Sequence, residues 1–264
     1  MICGKGGSGK STITALLARH AASKGRRVLV IDTDVSNEGL HRILGVEAPP
    51  DFTAHFGARH GRRRSSLKAP APRMHNDPLA LAEKPPHPPT PAPGTWTYDK
   101  LPEGFVSQEG TLKMIAIGKI KEADQFGKGF WTGLAVRFMK GLQLETEELV
   151  LIDVEAGLEH IDRGIGRVCD LILFVVEPSF DSIRLASTVV DLVKEDGVPL
   201  RFVLNKTDLE SSALIRESLK DHSLILAELQ REPALIARGL AGKPAEAGHP
   251  VAIQLLEKVS AVLA

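Results

Sequence analysis

The chain has 264 residues, 43% of them hydrophobic and 25% charged, enough to bury the core of one large α/β domain. Its 33 Lys and Arg balance 33 Asp and Glu, so net charge gives no general attraction to nucleic acid or to an anionic membrane. The two cysteines, Cys3 and Cys169, lie in apolar stretches, which argues against a disulfide scaffold and for a reducing cytoplasm.

The pattern "GKGGSGKST" from Gly4 to Thr12 comes first. Its spacing fits a phosphate loop, in which Gly6, Gly7, Ser8, Gly9 and Thr12 turn backbone N–H groups toward one anion. Lys10 then reaches the β and γ phosphates and Ser11 holds Mg²⁺. "STITALLARHAASKG" follows, with Ile13, Leu16, Leu17 and Ala21 at helical spacing, and then the strand "RRVLVIDTD" ends in acid. The loop begins so early that a signal peptide is not expected, and no run of about 18 apolar residues suggests a membrane span. Only Met1, Ile2 and Cys3 precede the loop, fewer than the roughly five residues usual for such a strand, so a start further upstream is an expectation to hold open.

Apolar runs of strand length recur at "VLVID" (28–32), "LKMIAIG" (112–118), "LVLID" (149–153), "LILFVVE" (171–177) and "LRFVLN" (200–205). Helical stretches separate most of them, such as Phe180 to Gly197. Runs apolar on both faces with helical crossovers predict a three-layer, doubly wound, mainly parallel sheet of the P-loop type, one domain over 1–264. Between residues 50 and 110 the pattern breaks into Pro, Arg and His, and this stretch reads as a flexible surface insertion. Arg62, Arg63 and Arg64 read as a solvated charge run, and His55, His60, His75 and His87 have no regular metal-ligand spacing. The amphipathic C-terminal helix, with Val251, Leu255, Val259 and Val262 on one side and little positive charge on the other, is expected to dock on the domain.

With its second lysine, Lys5, "KGGSGKST" resembles the deviant Walker A loop of a SIMIBI-class ATPase family. That family includes the nitrogenase iron protein, plasmid-partition and septum-positioning ATPases, and the nickel-insertion ATPases that mature carbon monoxide dehydrogenase. The resemblance implies ATP, Mg²⁺ and a homodimer in which Lys5 reaches the partner's phosphates, completing a site that stays incomplete in the monomer. "LIDVEAGLEHIDRG" (151–164), "GKIKEA" (118–123) and "VVEPSFDSI" (175–183) look like the carbon monoxide dehydrogenase accessory group. By the family pattern Asp34 orients the attacking water, Asp32 and Asp153 support the metal region, and Gly157 offers an N–H to the γ-phosphate; Val35 replaces the usual proline.

"NKTD" (205–208) resembles the guanine-reading motif of GTPases. In the family suggested by Lys5 the asparagine contacts adenine, so Asn205, Lys206 and Asp208 are expected at the base and ATP is the implied nucleotide. "REPALIARGLAGKPAE" (231–246) looks like the segment that packs over the base. Glu159 and His160 are adjacent, point to different faces of a helix, and read as part of a switch rather than as metal ligands.

The nickel-insertion members carry a Cys-x-Cys pair shortly after the counterpart of "GKIKEA". Here the sequence reads "DQFGKGFW" (124–131), so no nickel or zinc thiolate site is expected, with Cys3 and Cys169 serving to pack. The implied partners are a second copy and a client metalloenzyme such as carbon monoxide dehydrogenase, with neither nucleic acid nor membrane. The competing expectation is a partition or positioning switch whose ATP dimer binds a surface or a partner protein.

Overall fold

The computed structural model describes residues 1–55, 94–119, 128–194 and 197–264, except the side chains of 128–130 and 162. Arg62, Arg63, Arg64, His60, His75, His87 and Asp124 to Gly127 lie outside this set. Eight strands are described: β1 (Ile2–Gly4), β2 (Arg27–Asp32), β3 (Ser107–Glu109), β4 (Leu112–Ala116), β5 (Glu148–Asp153), β6 (Ile172–Val176), β7 (Leu200–Thr207) and β8 (Ile225–Gln230). They form one sheet in the order β3-β4-β2-β5-β1-β6-β7-β8, parallel throughout except for the β3–β4 hairpin. The described helices are α1 (Lys10–Ser23), α2 (Leu40–Leu44), α3 (Lys128–Gly141), α4 (Glu159–Asp162), α5 (Phe180–Lys194), α6 (Leu209–Ser218), α7 (Pro233–Leu240) and α8 (Pro250–Leu263).

Alternation along the strands splits the core in two. In β2, Val28 and Val30 join one cluster with Leu16, Leu17 and Leu255, while Leu29 and Ile31 join the other with Phe138, Val189 and Phe202. Helices α1, α2 and α8 therefore cover one face, and α3, α5 and α6 the other, giving the expected three layers. On α8, Ala252, Leu255, Leu256 and Val259 are buried, so the C-terminal helix docks on the domain as its apolar side requires.

Two edge strands went unread in the sequence. In β8 the run "ILAELQ" buries only Ala227 and Leu229 and leaves its other residues partly or fully exposed, as an edge strand solvated on part of its surface does, and β3 is only three residues long. The segment read as an insertion is narrower at both ends than its composition suggests. Phe52 is fully buried against Phe138 at a centroid distance of 4.9 Å, Trp96 and Phe105 meet its edge, and residues 107–109 pair with β4. The aromatic residues flanking the Pro-rich stretch supply apolar area that its middle lacks. Strand β1 spans three residues, and on the side of the sheet away from the loop a cavity of about 600 Å³ lies beside Met1, Leu149, Leu151 and Leu171.

Candidate nucleotide-binding site

The site gathers the first turn of α1 and the segments that follow the carboxyl ends of the strands, where the crevice of an open parallel sheet receives its ligand. The loop leaves β1 at Gly4, whose φ of 145° and close packing leave no room for a side chain: a Cβ would stand 2.5 Å from Val175 O. Gly9, at φ 100°, is the N-cap of the 14-residue α1 and supplies no side-chain bond, and the first turn holds no acid. The open N–H groups and the positive end of the helix dipole therefore face the loop. Ser8 Oγ is buried inside the loop without a hydrogen-bond partner, while Gly6, Gly7 and Thr12 are exposed along its rim. An anion cradled there would meet donors and no carboxylate of the loop itself, so the residues present fit a phosphate chain.

The two lysines have different surroundings. Lys10 is buried, and its Nζ donates to Lys5 O at 3.2 Å, folding back over its own loop. Lys5 points away from that cradle toward β6, with Nζ 3.4 Å from both Glu177 Oε1 and Ser179 Oγ. Glu177 also pairs with Lys206 Nζ at 3.2 Å, so one carboxylate holds two cations beside the loop.

Ser11 Oγ donates to Asp153 Oδ2 at 2.6 Å, Thr14 Oγ1 lies 3.5 Å from Oδ1, and Asn37 Nδ2 donates to Ser11 Oγ at 3.0 Å. Burial, and the nearby Asp32 and Asp34 carboxylates, push Asp153 up to about 7 against the pull of Ser11 and Lys10. Burial likewise raises Asp32 to about 6, although Lys119 Nζ pairs with it at 3.0 Å and Asp34 N–H donates to it. A hydroxyl and a buried carboxylate that resists ionisation without a counter-charge form a donor set suited to Mg²⁺. Ser11 and Asp153 would hold it; Asp32 stands behind, already paired with Lys119.

Asp34 is buried, and its Oδ1 accepts from Ser36 N at 2.9 Å and Ser36 Oγ at 2.6 Å. Gly157, at φ 112°, donates its N–H to Gly4 O at 3.3 Å. Asn205 Nδ2 donates to Ser8 O at 2.7 Å and Lys206, in the left-handed region at φ 60°, donates to Gly7 O. The "NKTD" asparagine and lysine thus brace the phosphate loop from β7. Asp208 instead caps α6 in a reciprocal box with Ser211, whose donors also lower the Asp208 carboxyl. Helix α7 leaves Ile236 and Leu240 exposed.

Glu159 pairs with Arg163 at 3.2 Å on the surface while His160 is buried, and burial lowers the imidazole; the adjacent pair does split between two faces. Cys3 is fully buried, which pushes its thiol up to about 12, and Cys169 is raised by burial in the same way. Among the described residues, no group of three or more His, Cys, Asp or Glu is placed to hold a metal ion. Nor is any described helix long and apolar enough to cross a membrane.

The sequence reading left out Thr14, Asn37, Lys119, Glu177 and Ser179. The available signal was position: Lys119, Glu177 and Ser179 lie just past the ends of β4 and β6, where the crevice opens.

Loop, helix terminus and converging strand ends define a P-loop nucleotide-binding protein of the ATPase class. CbiA, the CobQ/CobB/MinD/ParA nucleotide binding domain, matches residues 1–245, and the chain belongs to this family. It is 36% identical over 245 residues to the uncharacterized ATP-binding protein MJ0084 of Methanocaldococcus jannaschii, covering 92% of this chain and 91% of that one. It is 29% identical over 204 residues to the carbon monoxide dehydrogenase accessory protein CooC of Rhodospirillum rubrum, covering 75% and 69%. Its fold is that of the septum site-determining protein MinD complexed with Mg-ADP from Pyrococcus horikoshii, with a TM-score of 0.65 at 19% identity, covering 98% of this chain and 93% of that one.

Proposed function

We propose that the protein is an ATP-dependent dimeric switch of the carbon monoxide dehydrogenase maturation type, which hydrolyses ATP with Mg²⁺ and assists assembly of a metal centre in a client enzyme. The observation that carries this reading is the separation of the two loop lysines. Lys10 stays inside its own cradle, whereas Lys5 is turned out of it toward the half-buried Glu177 and Ser179. A cation placed outside its own loop is available to a second copy's phosphates, as an arginine finger is. Asp34 orients the attacking water, Ser11 and Asp153 would hold Mg²⁺, Gly157 gives up Gly4 O to serve the γ-phosphate, and Asn205 and Lys206 brace the loop on the adenine side while Asp208 caps α6. Bound Mg²⁺ neutralises phosphate charge.

Similarity to an accessory protein of carbon monoxide dehydrogenase favours the maturation reading over a switch acting at nucleic acid or membrane. The fold likeness to MinD favours the alternative, a positioning switch that binds a surface or partner in its ATP dimer. The sequence "DQFGKGFW" offers no thiolate, so the reading includes no nickel or zinc held between two copies.

Sizing the full chain with ADP, ATP and a slowly hydrolysed analogue tests the switch. Lys10→Ala should lose nucleotide, whereas Lys5→Gln should bind it and remain monomeric. Equal loss of nucleotide affinity in both variants would refute the division. Pelleting with liposomes or DNA only when ATP is present would favour the alternative, and one Ni²⁺ or Zn²⁺ retained per dimer on dialysis would overturn the absence of a thiolate site.

A further inference from the structure

We infer that Lys119 is a positioning residue of the hydrolytic site, a clamp that holds the loop after β2 in the form that presents Asp34. Lys119 stands three residues beyond β4, on the strand neighbouring β2. Its ammonium makes three contacts: an ion pair to Asp32 Oδ2 at 3.0 Å, and hydrogen bonds donated to Asp34 O and Asn37 O. A lysine has three N–H donors, so all of them are engaged. The side chain is 16% exposed, and a cation so withdrawn from water is held only by good partners.

The two carbonyls belong to the first and last residues of one turn, in which Asn37 N donates to Asp34 O at 3.4 Å. Holding both carbonyls from outside fixes the curvature of that turn. The far end is tied by Asn37 Nδ2 to Ser11 Oγ at 3.0 Å, and Ser11 in turn donates to Asp153. Asp34 therefore sits on a short bridge with Lys119 at one side and the phosphate loop at the other. The bridge has no other cation among the described ion pairs of Asp32 or Asp34. None of the described hydrogen-bond or ion-pair partners of Lys119 lies in the phosphate loop, so its effect on rate passes through Asp34 and the turn.

This inference rests on the role given to Asp34 above, and a double-mutant cycle separates the two. The full chain is assayed for Mg–ATP hydrolysis as wild type, Asp34→Ala, Lys119→Met and the pair, with ADP affinity and thermal unfolding measured alongside. Lys119→Met should lower kcat by up to about a hundredfold, the scale of a misplacement of roughly 1 Å, while KM for ATP moves by less than about threefold. In the Asp34→Ala background the same change should cost less than about twofold, because the group it positions is gone. If Lys119→Met does not fold because Asp32 is left buried and unpaired, Lys119→Met with Asp32→Asn removes both charges and should show the same kcat loss with ADP still bound. Lys119→Arg should recover part of the rate, since it restores the cation to Asp32. Full activity in Asp34→Ala would sink both the role of Asp34 and the clamp. A slow Asp34→Ala with an unaffected Lys119→Met, or losses that simply multiply, would overturn the clamp alone.

Discussion

Asp153→Asn should make the metal-free protein more stable near pH 8 while impairing its response to Mg²⁺. Asp153 is fully buried, and its carboxyl is raised from 3.8 to about 7 by that burial and by Asp32, with Ser11 and Lys10 opposing. The folded chain therefore holds a proton that the unfolded chain releases above about pH 4, so this group's stability is present below that pH and is lost as pH rises through about 7. A shift of about three units corresponds to roughly 4 kcal/mol, which relaxation and entering water reduce to about 2 to 4. Asparagine keeps the shape and can still accept from Ser11 Oγ but has no charge to bury. Near pH 3 the carboxyl is protonated in the folded and the unfolded chain alike and the two proteins should unfold together; near pH 8 the variant should be the more stable by about 2 to 4 kcal/mol. At about 2–4 °C per kcal/mol that is a rise of roughly 5–15 °C in Tm. The assay is thermal or urea unfolding at both pH values in chelator, repeated with Mg–ADP. Mg–ADP should stabilise the wild type more than the variant, because the cation favours the ionised carboxylate. A variant equally destabilised at both pH values would refute the assignment of a buried, reluctantly ionised Asp153.

Asp34→Ala should leave ATP binding intact, slow turnover and prolong the ATP-bound dimer, as followed by phosphate release and sizing; wild-type turnover would count against its role. Gly4→Ala should abolish nucleotide binding in a calorimetric titration, since the methyl would press on Val175 O at 2.5 Å in a backbone conformation that disfavours side chains. Phe52→Ala should cost about 3–5 kcal/mol in urea unfolding, because its ring is fully buried among Trp96, Phe105 and Phe138; a cost under about 1 kcal/mol would mean that the flanks of the Pro-rich stretch do not belong to the core.

The sequence by itself determined the parts whose physics is local. Gly4 to Thr12 carries its own turn chemistry, the helix after it shows its apolar spacing within a few turns, and the runs ending at Asp32, Asp153 and Glu177 are apolar on both sides because strands in the middle of a parallel sheet are buried on both faces. The edge strands β3 and β8 were illegible for the converse reason: one is too short to show a period, and the other alternates only weakly. Phe52, Trp96 and Phe105 look like isolated apolar residues in a polar stretch until the fold brings them onto Phe138. Only the tertiary structure assigned Asp208 to a helix cap, set Lys5 against Glu177 across 172 residues of chain, and placed Lys119 on carbonyls 85 and 82 residues away. A motif records what neighbouring residues need from one another. Which distant cation meets which carboxylate is settled by strand order, and the order β4-β2-β5-β1-β6-β7 places those side chains at one end of the sheet.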